Sequence, residues 1–416
     1  MYAVALPVLS LLAGIAILLT GIGLLGTLLG VRAGLELFPD NVIGAIMAAY
    51  FLGFIVGTFI CPWLIRRVGH IRAFAAMAAV ASATALIHAI MVDPWSWAFC
   101  RLLTGICLVG IYMVIESWLN TLAPNHQRGR IFGLYMTVTL LAMAAGQFLF
   151  AIGNPQSFVP FALVSMLFSI ALVPVVTTRV QQPESVQAPS VGLFNLYRTS
   201  PLGAMGSIMA GLVNGAFWGM GAVLALHIGL SGLGVALFMS AIILGGALLQ
   251  WPIGRLSDRL DRRAVLATTS FLGALVGLSL FFLLESGPLP LGMLLFLYGG
   301  TLFSLYSLSV AHANDLVGPG GVLETSRGLL LLYGIGAATG PVLAGVVMQA
   351  FGPATLVLFT AAGNGVLGLL AVRSILVRVP VPAAEKAAFV PMIRTSQTVL
   401  EMHPASDVQA ELDLKP

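Results

Sequence analysis

The chain has 416 residues, 59% of them hydrophobic and 8% charged, and a mean hydropathy of +1.02. Soluble domains carry about 25% charged residues and single soluble cores stop growing near roughly 250–300 residues, so an ordinary water-soluble fold is excluded. The net charge of +4 comes from arginines scattered in short clusters between apolar runs, which excludes a nucleic-acid partner and suits loops held against an anionic membrane surface.

A membrane-crossing helix needs about 20 apolar residues, each rising about 1.5 Å across a core of about 30 Å. That ruler predicts spans over 7–31, 40–65, 72–92, 95–121, 130–152 and 158–178. Six more follow over 201–228, 233–254, 264–285, 289–313, 325–349 and 353–376. Turn-forming residues punctuate them: Pro39-Asp40-Asn41, Asp93-Pro94, Pro124-Asn125, Gly153-Asn154-Pro155, Gly287-Pro288 and Gly318-Pro319-Gly320-Gly321. No cleavable leader is expected, because no Lys or Arg precedes Arg32 and the first apolar run is too long for one. Cys61, Cys100 and Cys107 have no metal spacing and read as small buried hydrophobes.

The basic residues test this count. With a cytoplasmic N-terminus, 17 of the 19 Lys and Arg fall on the cytoplasmic side, Arg32 and Arg101 being the exceptions. Glu36, Asp40, Asp93 and Glu285 fall outside. A missed helix would scramble that partition, so twelve spans with both termini cytoplasmic are expected. The polar stretch 179–200 separates a six-helix bundle over 1–178 from another over 201–377. The composition of 378–416 predicts a disordered cytoplasmic tail.

A repeat supports the division. Pro62-Trp63-Leu64-Ile65-Arg66-Arg67-Val68-Gly69-His70 follows the second span, and Gly254-Arg255-Leu256-Ser257-Asp258-Arg259-Leu260-Asp261-Arg262-Arg263 follows the eighth, 192 positions later. The second run resembles the cytoplasmic loop signature of the major facilitator superfamily, G-x-L-x-D-R-x-G-R-R, departing from it at Asp261. The first copy is degraded, with Pro62 for the glycine and Arg66 for the aspartate. Arg101 and Gly105 resemble the family's R-x-x-x-G pattern in the fourth span. Gln250-Trp251-Pro252-Ile253-Gly254-Arg255-Leu256, Val114-Ile115-Glu116-Ser117 and Arg128-Gly129-Arg130 are together similar to its YcaD-type branch. The resemblance implies an all-α membrane fold of two six-helix halves. It also implies a charged latch of Asp258, Arg259 and Arg262, beside Gly254, Arg66 and Arg67, that stabilises the outward-open state and parts as the halves rock. Asp315 is a further partner for it.

Ionisable groups within the bilayer need partners or a wet cavity. Arg101 lies about two turns inside the fourth span, where it meets an anionic substrate group or bonds helix-end carbonyls. Glu116, about 22 Å further along the helix at 1.5 Å per residue, is expected to pair near Arg128 or Arg67, or to carry a coupling proton. His312, beside Asn314 and Asp315, is the best placed histidine for proton coupling; His88 and His227 fall nearer the outer face. The cavity candidates are Tyr50, Tyr112, Tyr135, Gln147, Asn214, Trp218, Gln250, Tyr298, Tyr306 and Tyr333, each of which also suits plain helix packing. A mostly apolar lining with few polar groups fits an amphipathic or aromatic solute. Glycines, including Gly14, Gly21, Gly23, Gly26 and Gly30 and then Gly336, Gly340 and Gly345, permit close helix approach, and Gly340-Pro341 marks a kink. No glycine-proline pair accompanies Gly146, which counts against the family's drug/proton antiporters.

No Walker A motif, HExxH or paired intramembrane aspartate is present, so an enzyme is not expected. The expected function is secondary transport of a small organic solute across the inner membrane by alternating access, coupled to protons. Proton-linked uptake, facilitated diffusion and a receptor or scaffold on the same fold are the alternatives. No cofactor or metal is implied, and a monomer in the lipid bilayer is expected.

Overall fold

The computed structural model describes residues 2–123, 128–177, 183, 192–284, 287–317, 321–377, 379–382, 386, 389–391, 396 and 398. Among them are fourteen helices, twelve spans of which are long and apolar enough to cross a membrane. The first six spans are α1 (Tyr2–Leu35), α2 (Asp40–Val68), α3 (His70–Ile90), α4 (Pro94–Leu122), α5 (Arg128–Ile152) and the pair α6 (Val159–Ile170) and α7 (Leu172–Thr177). A short α8 (Leu193–Thr199) precedes α9 (Pro201–His227), α10 (Leu233–Arg259), α11 (Arg262–Leu283), α12 (Pro288–Asn314), α13 (Val322–Phe351) and α14 (Thr355–Val377). Twelve crossings return the chain to the face it started from. That face is called here the terminal face, and the opposite one the distal face.

Local chemistry sets the ends. Asp93 caps α4 by accepting from the backbone N–H of Trp95 and Ser96 at 3.0 Å each, with Pro94 in the first turn where its missing N–H costs nothing. Ser200 and Pro201 open α9 in the same way. The break between α6 and α7 follows from Pro174, whose ring meets the carbonyl four residues earlier, at Ile170, where α6 stops. The eighth span runs further than its hydropathy suggests. Nothing in Arg255–Arg259 breaks a helix, and arginines in a last turn suit its negative end. The signature residues Gly254, Asp258 and Arg259 therefore lie on α10, and the turn is only Leu260-Asp261.

Close backbone contact organises each half, and it repeats. A Cβ at Gly53 would collide with Leu102 O and one at Gly105 with Tyr50 O, which locks α2 to α4. Gly245 against Phe296 O and Gly299 against Ile242 O do the same for α10 and α12. Gly23 and Gly146 join α1 to α5; Gly215 and Gly340 join α9 to α13. Gly53 and Gly245 are 192 positions apart, as are Gly23 and Gly215, the spacing of the signature repeat. Small residues are needed here because lipid offers helices no hydrophobic drive to associate, leaving close packing to hold them.

The halves meet chiefly along α2 with α13, α5 with α10 and α1 with α9. Several of the closest of these contacts lie toward the distal face. Gly44 packs on Pro341 O, Gly345 on Asp40 O, and Gly30 on Ala222. Asp40 N–H donates to Gln349 Oε1 at 2.8 Å, and His227 Nε2 lies 3.8 Å from Asp40 Oδ1. The distal side is sealed.

Candidate functional site

A narrow cavity lies between the halves behind that seal. Ile22, Gly23, Gly26, Thr27, Tyr50, Phe51, Arg101 and Met143 line it from the first half, Trp218 and Met239 from the second. Gly26 faces open space, so its missing side chain enlarges the cavity. Arg101 is largely buried, with its guanidinium 4.5 Å from the Tyr50 ring centroid. An aromatic face stabilises a cation without neutralising it. Trp218 stacks on Phe303 at 5.8 Å and forms an apolar wall opposite. Thr27 donates to Gln147 Oε1 at 2.6 Å, and Gln147 Nε2 donates to Gly23 O at 3.1 Å. Gln147 thus holds a cavity-lining hydroxyl in place.

Of the ten aromatic and amide candidates, Tyr50 and Trp218 reach this cavity and Gln147 stands one layer behind it. Tyr298 does not: its hydroxyl donates to Thr360 Oγ1 at 2.6 Å, tying α12 to α14. Asn214 donates to Ala210 O within α9 and to Leu302 O on α12, and Gln250 to Phe303 O and Ser307 Oγ on α12, all buried in the second half. Tyr112 packs on Phe54, and Tyr306 on Tyr333 with ring centroids 4.6 Å apart. Thr27, Phe51, Met143 and Met239 do not stand out in the sequence, since an apolar or hydroxyl residue in a span carries no mark of the face it takes.

Glu116 is fully buried on α4. Among the described residues it pairs with no arginine, contrary to the expectation of Arg128 or Arg67. Its donors are the Tyr135 hydroxyl at 2.8 Å, the Thr398 hydroxyl at 3.1 Å, the Ser396 N–H at 3.4 Å and the Ser396 hydroxyl. Arg67 lies against Trp63, and Arg66 and Arg67 are exposed at the end of α2.

The signature residues build a charge cluster. Arg262 Nε meets Asp315 Oδ2 at 2.6 Å, and its Nη1 reaches Asp258 Oδ1 and Ser257 Oγ, each at 3.1 Å. Arg262 and Asp315 side chains are 1% and 2% exposed, Asp258 39%. His312 lines the same pocket as Arg262 and Asp315, and Arg259 is exposed. These groups sit on α10, α11 and α12, all in the second half, so rigid rocking of the halves does not separate them. The cluster staples three helices of one half.

Asp261 beside it caps α11 through the Arg263 N–H at 3.0 Å and pairs with Arg263 Nη2 at 2.7 Å. Burial works to raise its pKa, but the bonds and charge of Arg263, with Lys386 nearby, outweigh it and hold the carboxyl below its usual value. A depressed carboxylate contributes stability at neutral pH that is lost as pH falls through its folded-state value. Asp261→Asn, which keeps the cap, should lower thermal stability by less than about 1 kcal/mol at pH 7. The difference should vanish in acid below the ordinary aspartate range, as a pH series of melting curves would show.

Twelve crossings in two repeated halves around a narrow central cavity are the build of a membrane transporter rather than an enzyme. The sequence matches the Major Facilitator Superfamily over residues 8–328 and again over 204–401, and the chain belongs to that family. It is 29% identical over 370 residues to the "Uncharacterized MFS-type transporter YcaD" of Escherichia fergusonii, covering 88% of this chain and 96% of that one. The protein of that name from Salmonella typhi is 28% identical over 371 residues, covering 89% and 96%. Among solved structures, the nucleoside transporter NupG superposes with a TM-score of 0.76 at 14% identity, over 89% of this chain and all of that one. A bacterial homologue of the human lysosomal transporter Spinster, inward-facing and occupied, gives 0.71 at 14%, over 91% and 97%. At these identities the structures establish the fold alone.

Proposed function

We propose that this protein is a secondary transporter of a small organic solute with an aromatic or apolar body and an anionic group, working across the inner membrane by alternating access. The observation that carries the reading is Arg101, buried and cradled by Tyr50 in a cavity walled on the other half by Trp218. A buried guanidinium beside apolar walls favours a planar anion, which it binds with two parallel hydrogen bonds. The solute touches both halves at once, which is what couples its binding to their rocking. In this reading the terminal face is cytoplasmic, on the distribution of arginines, and the structure is a form with its outer side closed. Glu116 is the group proposed to carry a coupling proton, being a carboxyl held by hydroxyls rather than by a cation; His312, within the charge cluster, is the lesser candidate.

The test is a thermal-shift panel on purified protein, pairing aromatic carboxylates with their uncharged amides and with aromatic amines. Stabilisation by acids alone, lost in Arg101→Gln, is expected, with affinity falling about 10- to 100-fold for the loss of a charged hydrogen-bonded pair. Equal stabilisation by acids and amides, or unchanged binding of acids to Arg101→Gln, would overturn the anionic assignment.

A further inference from the structure

The composition of the tail beyond α14 predicts a free segment. Most of 378–416 lies outside the described residues, but several of those described beyond α14 are held against the bundle. Phe389 and Val390 pack against the bundle core, and Ser396 and Thr398 are 1% and 2% exposed. Phe389 N–H donates to Asp258 Oδ1 at 3.0 Å, and Lys386 Nζ donates to Leu260 O, both in the second half. Ser396 and Thr398 bond Glu116 on α4, in the first half, 280 and 282 positions away. The tail therefore touches both halves at the terminal face, where none of the described glycines makes the close contact between halves seen on the distal side.

We propose that this face carries a docking site for the chain's own C-terminal segment, which acts as an autoinhibitory strap across the mouth of the pathway. Two features of the bundle receive it. The first is Gly254, where a Cβ would collide first with the Phe389 ring, so the signature glycine makes room for the strap. The second is Glu116. A buried carboxyl costs several kcal/mol unless donors surround it, and all its described donors except Tyr135 come from the strap. Asp258 joins strap and staple, since one carboxylate oxygen accepts from Phe389 N–H and faces Arg262. The strap ties a residue of each half to one segment, so it leaves before the mouth widens and a solute passes.

The experiment needs no knowledge of the solute. In full-length protein with Cys61, Cys100 and Cys107 replaced by alanine, a single cysteine is introduced as Ser396→Cys or, separately, as Val379→Cys at an exposed position just after α14. The rate of maleimide labelling is read in detergent. The thiol at position 396 is expected to react at least about tenfold more slowly than the one at the exposed position 379, as protection by a docked segment requires. Phe389→Asp should bring the two rates together, with an unchanged melting curve showing that the bundle still folds. Gly254→Leu should do the same from the receiving side, and Glu116→Gln should weaken protection. Equal rates at the two positions without any further change, or protection that survives both Phe389→Asp and Gly254→Leu, would overturn the strap.

Discussion

Replacing Arg262 by leucine should destabilise the protein by about 3–5 kcal/mol, the cost of leaving a buried charge without its partner. Arg262 is the hub of the cluster on α10, α11 and α12, bonded to Asp315, Asp258 and Ser257. Without it the Asp315 carboxylate, 2% exposed, loses its arginine, while the half-exposed Asp258 is still solvated. The physical cause predicts a rescue. Asp315→Leu added to Arg262→Leu removes both charges, and the double variant should recover much of the loss, because neutral replacement of a whole buried pair is tolerated. Arg262→Lys should be intermediate, since an ammonium has no planar fork to reach both carboxylates. Melting curves of the four proteins decide it; a double variant no more stable than the single would rule out charge burial as the cause. As the cluster lies within one half, none of these changes should alter labelling across the distal seal.

The second large effect concerns that seal. A leucine at Gly345 would drive a side chain into Asp40 O and the Asn41 Cα, where the glycine now allows α13 to touch α2. Overpacking costs about 1–3 kcal/mol in a well-packed interior, and here the cost falls only on the state with the distal side shut. The balance should move toward the distal-open state by roughly one to two orders of magnitude. A single cysteine introduced as Thr27→Cys, at a position lining the cavity behind the seal, reports the shift. An impermeant maleimide applied from the distal side should label it slowly in the parent and at least about tenfold faster in Gly345→Leu. Gly44→Leu, which meets Pro341 O from the other helix, should act alike. Unchanged labelling in both would show that the seal does not depend on this contact.

Much of the architecture is legible because it rests on one-dimensional quantities. Hydropathy over a window is a property of consecutive residues, and so the twelve spans match the helices to within a few positions. The repeat is legible for a related reason. Glycines that must touch a neighbouring backbone tolerate no side chain, so Gly53 and Gly245 are bound to recur at the spacing of the signature. Where hydropathy misplaces a boundary, as at the end of α10, it falls while the backbone remains free to stay helical.

The site is less legible, because a helix presents every residue type to some neighbour and sequence does not say which. Arg101 stands out, since an arginine inside a span demands an explanation. Trp218 and Tyr298 look alike in the sequence; one faces the cavity and the other bonds Thr360, a difference set by helix rotation within the bundle. The partners of Glu116 are out of reach for the same reason. Apart from Tyr135, they lie 280 and 282 positions away in a tail whose composition suggests no structure.

By itself, then, the sequence determined the membrane as solvent, the number and order of the helices, the repeat and the family, all through constraints each segment meets alone. Tertiary structure alone decided which charges meet and which face is shut. Arg262 could pair within its half or across the interface, and the packing of α10, α11 and α12 chose the former. The distal seal likewise exists only where two surfaces, each ordinary in its own helix, come within contact of one another.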